Sequence, residues 1–175
     1  DEIDIISDEL NTSKIIAKVL NTANFNKDNL DTVDRFINPT MDEILRHEGL
    51  SSEEELQKSF KRIEKAIKNK EKVMINGDPD ADGISGTTIL TTALRQLGLT
   101  VNYAFPVRSR EGHGLQLRII QEAKDAGISL IITTDCGTKD VQAVNYANEL
   151  GIDVIITDHH ILGKDLPAAV AIINP

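Results

Sequence analysis

Carboxylates and imidazoles are concentrated in three short stretches of this chain. Three aspartates alternate with other residues in Asp78–Asp82, a fourth stands at Asp135, and the triplet Asp158-His159-His160 follows. Carboxylates that come together raise one another's pKa strongly unless cations neutralise them. We therefore expect these residues to hold metal ions if the fold brings them into one place.

The residue types indicate the metal and the reaction. Carboxylate oxygens mixed with imidazole nitrogens suit Mn²⁺, Mg²⁺ or iron better than a thiolate zinc site does. The candidate ligands outnumber the needs of one ion, so we infer two. Two ions about 3.5–4 Å apart can activate a water molecule near neutral pH and stabilise a leaving oxygen. The predicted reaction is hydrolysis of a phosphoester or phosphoanhydride.

Each stretch also has a structural explanation when taken alone. Asp78–Gly83 could be a turn rich in Asx caps or the start of a calcium loop, but the twelfth position of that loop, where calcium needs a glutamate, holds Ile89. Asp135 could cap a helix. Two adjacent histidines, His159 and His160, are seldom only structural after an apolar strand. The metal hypothesis depends on the three stretches meeting.

The elements that must position these residues begin at residue 72. Short apolar runs alternate there with helical segments, and the helices end at Gly98, Gly127 and Gly151, each suited to a left-handed cap. The runs do not alternate with polar residues, which is typical of a parallel sheet covered on both faces. We predict an α/β fold, a doubly wound and mainly parallel sheet. The predicted strands are Lys72–Asn76, Val101–Phe105, Ser129–Thr134, Asp153–Thr157 and Ala169–Ile173.

The candidate ligands follow the first, third and fourth of these strands. Loops that leave the carboxyl ends of parallel strands form the ligand crevice of such sheets. The order of residues along the chain therefore predicts that all three stretches lie on one edge of the sheet.

Residues 1–71 are predicted to form a helical N-terminal segment before a catalytic domain at 72–175. Serines are expected to cap two of its helices, Ser13 the first and Ser51 or Ser52 the last. We find no chemistry in this segment and interpret His47 as a solvated or structural histidine. The last helix is predicted to have one apolar stripe, formed by Leu56, Phe60, Ile63 and Ile67. Its basic residues, among them Arg62, are predicted to lie outside that stripe.

Composition limits the possible partners. The net charge of −9 argues against a nucleic-acid binder, yet residues 72–175 carry 12 acids and 8 bases, and cations that neutralise the five clustered aspartates would leave 7 acids against 8 bases. A single cysteine, Cys136, excludes an internal disulfide and a cysteine-rich zinc module. The longest apolar runs fall short of the roughly 18–20 residues of a membrane span, and the acidic start is unlike a secretory signal. We expect a cytoplasmic protein.

The motifs resemble those of the DHH phosphoesterase superfamily, which is named for the triplet found here at Asp158-His159-His160, and within it the RecJ family of single-stranded-DNA exonucleases. Gly77–Gly83 is similar to the first RecJ motif, Pro106–Leu115 to its second loop, and the stretch from Thr157 to Pro175 to its third. Phe36–Pro39 is similar to the segment that precedes the RecJ catalytic core.

The resemblance implies roles for the residues that match. Asp78, Asp80 and Asp82 are expected to bind metal, Asp135 to bridge two Mn²⁺ or Mg²⁺ ions, and His159 to bind one of them. His160 would face the scissile phosphate, and Asp158 would be a ligand or would orient an imidazole. The implied activity is 5′ to 3′ digestion of single-stranded DNA in repair and recombination.

The sequence also departs from the family. Pro79 replaces an aromatic residue expected in many RecJ chains, and His113 stands where tyrosine is common. Asn76 stands where other branches have histidine, which argues against a soluble pyrophosphatase or an oligoribonuclease. A further metal-binding aspartate and the second domain, called DHHA1, have no counterpart in 175 residues. We therefore expect an N-terminal piece with weak metal binding and little activity of its own.

The loop after the second strand contains the candidate substrate contacts. Arg108 and Arg110 are placed to bind phosphates, His113 lies in the same loop, and Arg118 is a weaker candidate. A solvated surface role for the arginines is an open alternative. Aromatic stacking platforms are nearly absent from residues 72–175, which contain only Tyr103, Phe105 and Tyr146.

Two other functions remain open at this stage. A family relative could cleave short oligonucleotides or cyclic dinucleotides instead of long strands. A non-enzymatic receiver domain of signalling proteins also gathers aspartates at parallel strand ends around one Mg²⁺, but it needs no paired histidines.

Overall fold

The computed structural model describes residues 1–38, 40 and 51–175. The chain divides into two compact units, Asp1–His47 and Glu48–Pro175, and each is described by itself. Pro39 and His47, about which the sequence made predictions, lie outside the described residues. No helix in the described ranges has the length and apolar character needed to cross a membrane.

The first unit is helical, as predicted. It contains α1 (Glu2–Glu9), α2 (Lys14–Thr22), a 3₁₀ turn (Lys27–Asn29) and α3 (Leu30–Ile37). The side chain of Ser13 accepts a hydrogen bond from the Ile16 amide, so the predicted cap of α2 is confirmed. Its small core consists of Ile6, Ala17, Leu20 and Val33.

The second unit is built around a sheet of five parallel strands. The strands are β1 (Lys72–Gly77), β2 (Thr100–Ala104), β3 (Ile128–Thr134), β4 (Asp153–Thr157) and β5 (Ala171–Ile173). Their order across the sheet is β2-β1-β3-β4-β5. The helices are α4 (Glu53–Asn69), α5 (Ala81–Gln96), α6 (Arg108–Glu111), α7 (Leu117–Asp125) and α8 (Val141–Glu149). The predicted fold class is confirmed.

Helices cover both faces of this sheet. On one face, α7 and α8 pack Ile119, Ile120 and Val144 against the strands. On the other, α4 and α5 contribute Ala66 and Leu94. Burial on both faces explains why β1, β3 and β4 are largely apolar, whereas β2, at the edge of the sheet, keeps Asn102 and Tyr103 exposed. The three predicted glycine caps are confirmed, since Gly98, Gly127 and Gly151 have φ angles of 87°, 71° and 73°.

The helix α4 differs from its prediction in which residues face inward. Arg62, predicted outside the apolar stripe, is buried, whereas Phe60 is 48% exposed. The guanidinium of Arg62 forms ion pairs with the carboxylates of Glu71 and Asp153. The helix packs on the sheet through Ala66, whose neighbours include Val73 and Ile75 of β1. The division into a segment 1–71 and a domain 72–175 stays a prediction.

Candidate metal centre

The site lies where the chain changes direction across the sheet. From β1 the chain moves to β2 on one side, and β3 then pairs with β1 on the other side. Such a switch point opens a crevice at the carboxyl ends of the two central strands. Gly77 is level with Thr134 in the β1–β3 register, so the loops that follow these strands leave the sheet side by side.

The loop after β1 is held in a tight arrangement by Asp80 and Gly83. The side chain of Asp80 accepts a hydrogen bond of 3.1 Å from the Gly83 amide and so caps α5. A Cβ atom at Gly83 would overlap the backbone of Asp78, so only glycine permits this close approach. Asp78 is buried as a result, whereas the side chain of Asp82 is 67% exposed.

Asp135 turns the chain sharply at the end of β3. Its φ angle is +60°, a left-handed conformation that aspartate tolerates better than most residues, and its amide donates to the carbonyl of Thr157 at 2.9 Å. The Oδ1 atom of Asp135 is buried and accepts no well-aligned hydrogen bond from the described residues, although Nε2 of His159 lies 2.8 Å away. A buried carboxylate oxygen left in this state is suited to a cation.

Two groups of possible metal ligands share this aspartate. One consists of Asp78, Asp80 and Asp135, and the other of Asp135, His159 and His160; within each group the ligand atoms lie within 4.8 Å of one another. Asp82 belongs to neither group among the described residues, and its Oδ2 atom lies 4.0 Å from Nε2 of His159. One carboxylate, that of Asp135, is therefore common to both groups among the described residues.

The carboxylates at the centre have different pKa values. Burial raises the pKa of Asp135, and the nearby negative charges of Asp80 and Asp82 raise it further. The hydrogen bond from the Gly83 amide lowers the pKa of Asp80. A divalent cation would relieve the repulsion that Asp135 experiences.

Asp158 holds His160 in place. Its Oδ2 atom accepts from the amide and the hydroxyl of Thr138 at 3.1 and 2.7 Å, and its Oδ1 atom lies 2.7 Å from Nδ1 of His160. Burial raises the pKa of Asp158, but the bonds from Thr138 and His160 outweigh it and bring the pKa to about 2. The hydrogen bond with Asp158 in turn raises the pKa of His160, and the positive charge of Lys139 opposes that rise.

A cavity of about 350 Å³ opens in front of these residues. Arg108 and His113 line it and contact opposite oxygens of Asp78, at 3.2 and 3.3 Å. Arg110 is exposed and is not among the lining residues in the described part of the chain. Arg118 forms ion pairs with Glu111 and Glu122 instead of facing the cavity; the distances are 2.6 and 2.8 Å.

The arrangement agrees with the comparison to known families. Residues 72–175, which contain every one of these groups, match the family model described as "DHH family, N-terminal domain". The chain belongs to the DHH family. The family assignment that the motifs suggested is therefore confirmed.

Relatives within the DHH family include single-stranded-DNA-specific exonucleases named RecJ. The protein of Bacillus subtilis is 42% identical over 120 residues, which are 69% of this chain and 15% of the relative. That of Escherichia coli is 36% identical over 154 residues, 78% of this chain and 27% of the relative. A crystal structure of exonuclease RecJ bound to manganese is 32% identical with a TM-score of 0.62, and the match covers 69% of this chain and 30% of that one. The chain thus spans less than a third of these relatives.

Three residues of this DHH site were missed by the sequence reasoning, and all lie in the turn after Asp135. Thr138 binds Asp158, Lys139 lines the cavity, and Asp140 accepts a hydrogen bond of 2.6 Å from the amide of Leu115. Their only signal was position, since they follow a candidate ligand at a strand end. Their partners are distant in sequence, so spacing along the chain did not reveal them.

Proposed function

We propose that this chain forms the metal-binding part of a 5′ to 3′ exonuclease that digests single-stranded DNA. The enzyme would use two Mn²⁺ or Mg²⁺ ions and act in DNA repair and recombination in the cytoplasm. The observation that carries the proposal is the position of Asp135, which belongs to both groups of possible ligands. The names of the relatives, and the manganese in one of their structures, support the substrate and the metal.

The donor set fits a pair of hard divalent ions. Most of the donor atoms are carboxylate oxygens, and imidazole nitrogens complete the set. The only cysteine of the sequence, Cys136, is buried, and burial is the main reason that its pKa is raised. It therefore supplies no thiolate to the site. Such ions would supply a hydroxide near neutral pH and would neutralise charge on the phosphate. The proposed ligands are Asp78, Asp80, Asp82, Asp135 and His159, with Asp135 as the bridge.

His160 is the proposed catalytic residue, and Asp158 positions it. With Nδ1 held by Asp158 at 2.7 Å, the imidazole can present its Nε2–H to a phosphate oxygen or to the departing oxygen. The pKa of His160 is raised by the same hydrogen bond, which favours the protonated ring that such donation requires. This division of roles resembles a carboxylate that orients a catalytic imidazole.

Substrate binding is assigned to the loop after β2. Arg108 and His113 line the cavity and are proposed to contact the phosphate that is cut. Arg110, exposed on α6 outside the lining, is proposed to contact the strand farther from the cut. Phosphate contacts of this type fix the position of a strand without reading its sequence.

The test uses the full-length protein that carries this sequence. Single strands labelled at the 5′ or the 3′ end are incubated with Mn²⁺, in parallel with duplex DNA and cyclic dinucleotides. We expect release of mononucleotides from the 5′ end of single strands, and its loss in His160→Ala with metal affinity largely retained. An Asp165→Asn variant, which changes an exposed aspartate outside the cavity lining, is the control. Cleavage of cyclic dinucleotides but not of strands would replace this proposal with the rival one.

A further inference from the structure

Two side chains with a permanent positive charge line the cavity among the described residues. They are Arg108 and Lys139. Arg108 is engaged by Asp78 at 3.2 Å. The ammonium group of Lys139, in contrast, has no hydrogen bond or ion pair with any described residue, and its side chain is exposed. It is therefore available to an anion that enters the cavity.

Lys139 is positioned between Asp135 and the triplet Asp158-His159-His160. It lies on the turn between Asp135 and α8, and its Cγ atom is 4.0 Å from the position that a Cβ atom would take at Gly163, in the loop after His160. Its charge acts on the His160 ring. Lys139 thus lines the same cavity as His160, the residue that is proposed to face the scissile phosphate.

The same lysine lies where the cavity meets a second hollow. This hollow, of about 460 Å³, is lined by the starts of α7 and α8 and shares only Lys139 and Asp140 with the first cavity. A nucleic-acid strand that extends from His160 into this hollow would pass Lys139. Five carboxylates line the first cavity, so a phosphate outside the reach of the metal ions needs a cation there; they are Asp78, Asp80, Asp135, Asp140 and Asp158.

We propose that Lys139 binds the phosphodiester next to the one that is cut and so forms a second phosphate subsite of this centre. The inference rests on the proposed function, because it assigns the substrate a chain of at least two linkages. It makes Lys139 a substrate contact that favours strands over single phosphoesters. A lysine in this position supplies a point charge, and arginine should be able to replace it.

The first experiment measures binding of a single strand to the full-length protein, with Ca²⁺ in place of Mn²⁺ so that binding can be followed apart from cutting. Lys139→Ala should weaken binding about tenfold and reduce the slope of log K against log salt by about 0.7, the share of one phosphate contact on a single strand. Lys139→Arg should retain both. Lys65→Ala removes an exposed charge on α4 that does not line the cavity and should change neither quantity.

The second experiment locates the contact. Strands that carry one uncharged methylphosphonate linkage, placed at successive positions from the 5′ end, are compared in wild type and Lys139→Ala. At the linkage next to the cut, the neutral substitution should weaken binding to wild type but should not weaken binding to Lys139→Ala further. If the loss of binding caused by the neutral linkage and the loss caused by Lys139→Ala add at every position of the linkage, the subsite is refuted.

The outcomes for the subsite and for the enzyme can be separated. If the strand binds with the Lys139-dependent pattern but is not cut in Mn²⁺, the subsite stands and the proposed exonuclease fails. If the strand is cut from its 5′ end and Lys139→Ala behaves as wild type in both experiments, the enzyme stands and Lys139 is only a solvated lysine.

Discussion

The carboxylate of Asp158 lies 2.7 Å from Nδ1 of His160, and this pair is supported in turn by the hydroxyl of Thr138. Thr138 is almost fully buried and donates twice to the same oxygen of Asp158, from its amide and its side chain. The orientation of the proposed catalytic imidazole thus depends on a residue that acts on it through Asp158.

Replacing Thr138 with valine should therefore affect catalysis more than binding. Thr138→Val keeps the shape and the amide hydrogen bond but removes the hydroxyl, so we expect kcat to fall about 10- to 100-fold with KM little changed. Steady-state kinetics on single-stranded DNA measure this difference. Thr138→Ser restores the donor and should retain most of the activity. A valine variant as active as wild type would remove Thr138 from the mechanism.

Two aspartates of the proposed ligand set should differ in their effect on metal binding. Among the described residues, Asp135 belongs to both groups of possible ligands, whereas Asp82 is exposed and lies outside both. Asp135→Asn should weaken Mn²⁺ binding at least about 100-fold and should reduce the number of ions bound. This loss exceeds the one expected when a residue that only hydrogen-bonds to a metal ligand is removed. Asp82→Asn should have a much smaller effect. Calorimetric titration with Mn²⁺ measures both, and equal losses would contradict the bridging role of Asp135.

The loop that holds Arg108 and His113 should be sensitive to a methyl group at Gly114. Gly114 has a φ angle of +82°, and a Cβ atom there would collide with the carboxylate of Asp140, which binds the next amide at Leu115. Gly114→Ala should lower the free energy of unfolding by more than the left-handed backbone conformation alone would cost, and it should weaken the binding of single-stranded DNA.

Gly151→Ala is the matched control for this change. Gly151 has a similar φ angle of +73°, but the space around it is open, so the variant should lose only about 1–2 kcal/mol, the cost of a left-handed residue with a side chain. Urea denaturation measures both variants. If they lose the same free energy of unfolding and bind strands equally well, the contact with Asp140 is unimportant.

The buried guanidinium of Arg62 should contribute strongly to the stability of the second unit. Arg62→Ala would leave Glu71, whose side chain is only 14% exposed, without its cation, and we expect a loss of about 3 kcal/mol in the free energy of unfolding. The neighbouring Lys61 is exposed, and Lys61→Ala should change stability by less than about 0.5 kcal/mol. Chemical denaturation of the two variants tests this, and a loss below about 1 kcal/mol for Arg62→Ala would show that the ion pairs are marginal.

Most of the fold was predictable because its signals are local. Continuous apolar runs identify strands buried on both faces, and glycine after a helix identifies its end; both depend on a few adjacent residues. The strand-end rule then placed Asp78, Asp135 and Asp158 on one edge of the sheet, since it requires only that the strands be parallel.

The inward face of α4 was harder to predict because it depends on distant partners. An arginine beside an apolar stripe normally faces water, and nothing near Arg62 in the sequence indicates otherwise. It is buried because Asp153, 91 residues further along the chain, and Glu71 meet it above the sheet.

From its order of residues alone, this chain is recognisable as a parallel α/β protein with metal-binding residues gathered at strand ends, because adjacent residues carry those patterns. Which of these side chains come within ligand distance depends on β1 lying beside β3 in the assembled sheet. In the described part of the chain, that neighbourhood makes Asp135 common to two groups of possible ligands and leaves Asp82 outside both. Distances of a few ångströms between loops result from packing across the whole sheet, and local patterns carry no information about them.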